Sequence, residues 1–98
     1  MIIVRDIFQL KFGRMKEAKT LWKDMLKLFP GQAESRPRLF TDLTGPYYTL
    51  VLEAQYKDLT AYEAFSRQEM SAPGMPDLYQ KFVPLVDSGR REIFTLVE

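Results

Sequence analysis

RLFTDLTGPYYTLVLEAQY, residues 38–56, is the stretch whose reading decides the fold. Two runs rich in β-branched and aromatic residues flank Gly45-Pro46, a dipeptide that breaks strands and makes turns. The first run reads as a short strand, about Arg38 to Leu43, and the second as a longer one, Tyr47 to Tyr56. Their close spacing favours an antiparallel hairpin. Side chains alternate along a strand, so Tyr48, Leu50 and Leu52 share one face while Tyr47, Thr49, Val51 and Glu53 share the other. Both faces are apolar at the centre. An antiparallel sheet covered on one side only alternates more cleanly, so the pattern predicts a cover on the second side as well.

Towards the N-terminus, Ile2 to Phe12 reads as another strand, ended by Gly13. One parity carries Ile2, Val4, Phe8, Leu10 and Phe12, with Asp6 as the exception; the other mixes Ile3 and Ile7 with Arg5, Gln9 and Lys11. From Arg14 the period becomes helical. Met15, Ala18, Trp22, Met25, Leu26 and Phe29 form an apolar stripe, opposed by a lysine-rich face and stopped by Pro30-Gly31. The segment QAESRP that follows is a polar loop. Towards the C-terminus, a helix starts near Asp58, which competes for the cap with a Thr60–Glu63 capping box. Leu59, Tyr62 and Phe65, with Ala61, supply its apolar side. SAPGMP interrupts the helix. A second helical stretch then carries Leu78, Phe82, Leu85 and Val86, with Pro76 in its first turn and Pro84 set to kink or end it. Gly89 precedes a final strand, Arg90 to Val97.

The order is β-α-β-β-α(α)-β, an α+β ferredoxin-like pattern with a four-stranded antiparallel sheet and helices on one face. Ninety-eight residues make one domain, 1–98. Strands apolar on both faces then imply a partner on the open face of the sheet, the physical case for a homodimer.

Composition narrows the function classes. The net charge is +1, with no polybasic block, which argues against nucleic acid and against an anionic membrane surface. Arg5 and Asp6 interrupt the apolar N-terminus too early for a signal-peptide core, and no run approaches the roughly 20 apolar residues of a membrane-spanning helix. A cytoplasmic protein is expected. With no cysteine and no histidine, thiol chemistry, histidine general bases and histidine-based zinc or haem ligation drop out. Neither a metal nor a cofactor is expected. An RNA-recognition domain shares this element order. Its third strand needs a basic residue, a glycine and stacking aromatics, whereas TLVLE offers an acidic Glu53, so that reading is rejected.

With LTGPYYTLVLE at the hairpin and LVDSGRREIFTLVE at the end, the chain resembles the dimeric α/β-barrel superfamily, closest to its NIPSNAP-like branch. The resemblance implies a homodimer whose two sheets pack face to face, and an apolar cavity between each sheet and its own helices. The superfamily hosts cofactor-independent monooxygenases, haem-degrading enzymes, isomerases, decarboxylases, haem peroxidases and stress-response proteins; fold alone does not choose among them. Its monooxygenase branch uses an asparagine, a tryptophan and a histidine. This chain holds only Trp22 of that set.

Candidate pocket residues are Trp22, Tyr48, Tyr62, Arg5 and Arg91. Trp22 lies on a helical apolar stripe, where core packing is the ordinary role and an indole N–H facing a ligand the functional one. Tyr48 and Tyr62 pair an apolar ring with a hydrogen-bonding tip. In SGRREI, Arg90 shares a strand face with Glu92 and Phe94, and Arg91 shares the opposite face with Ile93 and Thr95, so the two cannot clamp one anion without a bulge. One of them is placed to meet Asp6, the carboxylate on the apolar face of the first strand. No catalytic residue is assigned. The reading is a NIPSNAP-like protein binding a small hydrophobic molecule between sheet and helices. The alternatives are a cofactor-independent monooxygenase and a non-catalytic dimerisation module.

Overall fold

The computed structural model describes residues 1–28 and 37–97. The expected places of Phe29, of Pro30-Gly31 and of most of QAESRP lie outside them. Four strands, β1 (Ile2–Leu10), β2 (Arg38–Thr41), β3 (Thr49–Tyr56) and β4 (Val86–Thr95), form one sheet in the order β2-β3-β1-β4. All three pairings are antiparallel. Helices α1 (Met15–Lys27), α2 (Leu59–Ser71) and α3 (Met75–Phe82) complete the α+β ferredoxin-like arrangement.

Local chemistry sets the boundaries. Tyr48 has a left-handed backbone (φ 60°), uncommon for a bulky residue, and it halts the strand expected to run from Tyr47. β3 therefore starts at Thr49. There the Asp42 carboxylate accepts a hydrogen bond from the Thr49 N–H (2.9 Å), and Asp42 N–H donates to the Thr49 carbonyl (3.1 Å). This double link closes the hairpin loop, so β2 ends at Thr41, two residues short of the expected Leu43. Asp58 caps α2, its carboxylate accepting from Ala61 N–H at 2.8 Å; it prevails over Thr60. Pro84 lacks a donor, and α3 ends at Phe82 in a short 3-10 turn, Val83–Leu85. Val86 consequently opens β4 rather than closing the helical stripe. Gly89 lies inside that strand; a Cβ there would come within 3.3 Å of Phe8 Cδ1.

The register sorts the sheet's two faces. Towards the helices point Val4, Asp6, Phe8, Leu50, Leu52, Ala54 and Arg91. Two apolar clusters form on that side. The larger packs Trp22, Met25, Leu50, Met75, Phe82 and Leu85 under α1 and α3, with Trp22 and Phe82 edge-to-face at 5.4 Å. The smaller gathers Val4, Ala54 and Tyr56 beneath Ala61, Tyr62 and Phe65 of α2. Asp6 lies between them along β1, with Val4 in one cluster and Phe8 against the other. α2 has no fully buried residue, because it lies over the less filled half of the sheet.

The opposite face carries Ile3, Ile7, Val51, Phe40 and Phe94, and none of the three described helices covers it. Across its middle runs Arg38, Glu53, Arg5 and Glu92, one residue from each strand in the order β2-β3-β1-β4. Glu53 accepts from Arg5 at 2.9 Å and from Arg38 at 3.0 Å, and it is only 8% exposed although it sits on the uncovered face. The two flanking arginine side chains provide that shelter.

Candidate functional site

Where the two clusters fail to meet, a cavity of about 520 Å³ opens between the sheet and all three helices. Its walls are largely apolar and aromatic. Trp22 and Met25 enter from α1, Phe8 and Leu52 from the sheet, Tyr62 and Phe65 from α2, and Met75 and Tyr79 from α3. Strand spacing puts Val4, Asp6 and Phe8 of β1 on this side together. On α2, Tyr62, Phe65, Ser66 and Glu69 recur at three- and four-residue steps and so share one face. Gly89 lines the cavity as well, and the missing side chain leaves room beside Phe8.

The polar groups gather at the α2 side. Arg91 Nε donates to the Asp6 carboxylate at 2.5 Å, and its guanidinium lies over the Tyr62 ring, 5.5 Å from the centroid. The hydrogen bond it donates to Asp6 holds Arg91 protonated more firmly than usual, with burial opposing it. Tyr56 and Tyr62 pack edge-to-face at 5.1 Å. Burial first, then the nearby charge of Glu69, pushes the Tyr56 phenol well above its ordinary value, so it stays a donor. Burial likewise raises Glu69, with the Asp6 charge adding to the effect and Arg91 opposing it. Among the described residues, neither a hydrogen bond nor an ion pair ties down the Glu69 carboxyl. The indole N–H of Trp22 is buried without an acceptor among the described residues. Among the described residues, no three acidic side chains cluster closely enough to hold a metal ion, and no helix is long and apolar enough to cross a membrane.

Of the residues singled out from sequence, the cavity brings together Trp22, Tyr62 and Arg91. Arg5 is not among its walls: it lies on the opposite face of the sheet, bound to Glu53 and 5.1 Å from the Phe94 ring centroid. Tyr48 is not there either. Its left-handed backbone places it before β3, where its ring meets Phe12 edge-on at 4.7 Å. The expected opposition of Tyr47 and Tyr48 across the sheet fails for the same reason, and both rings contact Phe12. Sequence reasoning missed Glu69 and Tyr56. Glu69 stands seven residues after Tyr62 and four after Phe65, so a carboxyl on the apolar stripe of α2 was the available signal.

No family model matches this sequence, and no curated protein matches it. Solved structures do match its fold. An uncharacterized NIPSNAP domain protein from Burkholderia xenovorans superposes with a TM-score of 0.83 at 15% identity, over 99% of this chain and 95% of that one. A NIPSNAP family protein from Agrobacterium tumefaciens gives 0.79 at 15% identity, over 99% and 93%. SnoaB, a cofactor-independent oxygenase from Streptomyces nogalater, gives 0.71 at 17% identity, over 99% and 93%. From end to end, this chain therefore has the fold of the NIPSNAP proteins and of a cofactor-independent oxygenase.

Proposed function

We propose that this protein is a NIPSNAP-like homodimer that binds a small, largely apolar organic molecule between its sheet and its own helices. The cavity carries this reading. It has the volume of a ligand site, apolar and aromatic walls, and a few polar groups gathered at one side. Among the described residues, the Trp22 N–H on α1 has no acceptor and the Glu69 carboxyl has no hydrogen bond, and a buried donor left unpaired costs about 1–3 kcal/mol. A bound molecule would relieve that cost. The dimer rests on the uncovered sheet face, where Ile3, Ile7, Val51, Phe40 and Phe94 present apolar surface.

Native mass spectrometry of the purified protein tests both parts in one experiment. The expected result is a dimer with an organic molecule retained at up to one copy per subunit. A monomer at micromolar concentration would sink the dimer. Failure of any small hydrophobic compound to perturb Trp22 fluorescence would sink the pocket.

A second reading, cofactor-independent oxygenation, draws on the likeness to SnoaB and on Glu69. Such chemistry needs a base to take a proton from the substrate, which then passes electrons to dioxygen itself. A half-buried carboxyl with raised proton affinity suits that role in a chain without histidine. Dioxygen uptake with an acidic carbon substrate, lost in Glu69→Gln, is the expected sign.

A further inference from the structure

The occupant's charge can be inferred from the cavity wall, on the assumption that the cavity is a ligand site at all. Four ionisable side chains of the acidic and basic kinds reach the lining among the described residues: Asp6, Glu69, Arg90 and Arg91. Arg90 belongs to the opposite face by strand parity, and its guanidinium is engaged by Glu92 at 3.3 Å. Arg91 is held by Asp6. Both lining cations are therefore committed to other carboxylates, whereas the Glu69 carboxyl has no hydrogen bond or ion pair among the described residues and feels Arg91 only at longer range. Tyr56 and Tyr62, which pack on each other, line the cavity together with Glu69, and the Glu69 charge acts on the Tyr56 phenol. The chain itself already places one cation against this wall, the Arg91 guanidinium over Tyr62.

We propose that the cavity selects an organic cation, an apolar body bearing a protonated amine or quaternary ammonium, with its charge beside Glu69 against the rings of Tyr56 and Tyr62. The rings attract a cation through their quadrupole, and more strongly where water is excluded. The free carboxyl supplies the opposite charge. An anionic molecule of the same shape would find no free cation to meet, and it would face Glu69. A neutral molecule would gain the apolar contacts alone.

Three probes that share one apolar body separate these cases: para-tert-butylbenzylamine, para-tert-butyltoluene and para-tert-butylbenzoate. Trp22 is the only tryptophan and lines the cavity, so its fluorescence reports binding without a label. At neutral pH the amine is expected to bind about tenfold tighter than the toluene, and the benzoate more weakly than either. In Glu69→Gln the amine should lose that advantage while the toluene binds as before, with circular dichroism confirming the fold. Toluene binding with no preference for the amine, or tightest binding by the benzoate, overturns the charge selection and leaves the pocket standing. Binding by none of the three overturns both.

Discussion

Two glutamates on opposite sides of the sheet, Glu53 on β3 and Glu69 on α2, are set to respond to pH in opposite directions. Glu53 is held ionised first by the Arg5 hydrogen bond, which burial partly opposes, and then by Arg38, so its pKa lies below the ordinary 4.5. A carboxyl lowered on folding adds stability above its unfolded pKa, and that stability is lost as the pH falls through the folded one. Glu69 is raised instead. Below 4.5 it is neutral in both states; as the pH climbs from there through its folded pKa, ionisation favours the unfolded chain and stability drops. Glu53→Gln should therefore lower the melting temperature at pH 7 and flatten the acid limb. Glu69→Gln should leave the melting temperature at pH 7 unchanged or raise it by a few degrees, because it removes a carboxyl whose ionisation the fold opposes. Thermal melts from acid to neutral pH read both. The two cases also show what a sequence reveals of single residues. Strand parity alone separates Arg90 from Arg91 and leaves one of them to meet Asp6; the register of β1 with β4 makes it Arg91. Glu69 was hidden because an acidic residue on a helix is ordinarily solvated, and only the placement of α2 decides otherwise.

At the level of elements, the order and the antiparallel pairing were legible, because period and breaker residues encode them locally. The strand ends were less legible. Tyr47 and Tyr48 have strong β propensity, yet a left-handed turn takes them out of β3. Val86 fits a helical stripe, yet Pro84 has already ended the helix. In β4, Gly89 leaves a space that Phe8 and the cavity use. Gly89→Ala should cost under about 1 kcal/mol, because the nearest atom belongs to a ring that can shift a few tenths of an ångström. Gly89→Val should cost about 1–3 kcal/mol and reduce the uptake of hydrophobic probes, as measured by denaturant titration and Trp22 fluorescence. The α2 cap gives a cleaner check. Asp58→Ala removes the acceptor for Ala61 N–H and should cost about 1 kcal/mol in the same titration, with probe binding weakened only through fraying of α2.

For the whole molecule, the cavity follows from how the apolar residues are shared out. α1 and α3 fill their half of the sheet, with Met75 and Phe82 almost wholly buried, while α2 offers half-buried rings over the other half. Sequence shows the stripes but not the distance at which a helix rests from its sheet. That is why the cavity could be expected from resemblance yet drawn only from coordinates. The uncovered face makes a separate prediction. A charge placed at its apolar centre, Val51→Lys, should leave the fold intact and yield a monomer in native mass spectrometry if a second copy covers this face. A dimer that survives the change would move the contact elsewhere.

The four charges across that face have a symmetry of their own. From β2 to β4 they alternate as plus, minus, plus, minus. Read backwards, the row is its own complement. A copy laid against the sheet by a half-turn about the strand direction sets Arg38 opposite Glu92, and Glu53 opposite Arg5. A copy displaced by one strand sets like against like. The same four residues that shelter Glu53 within one chain would thus reject a misaligned second one.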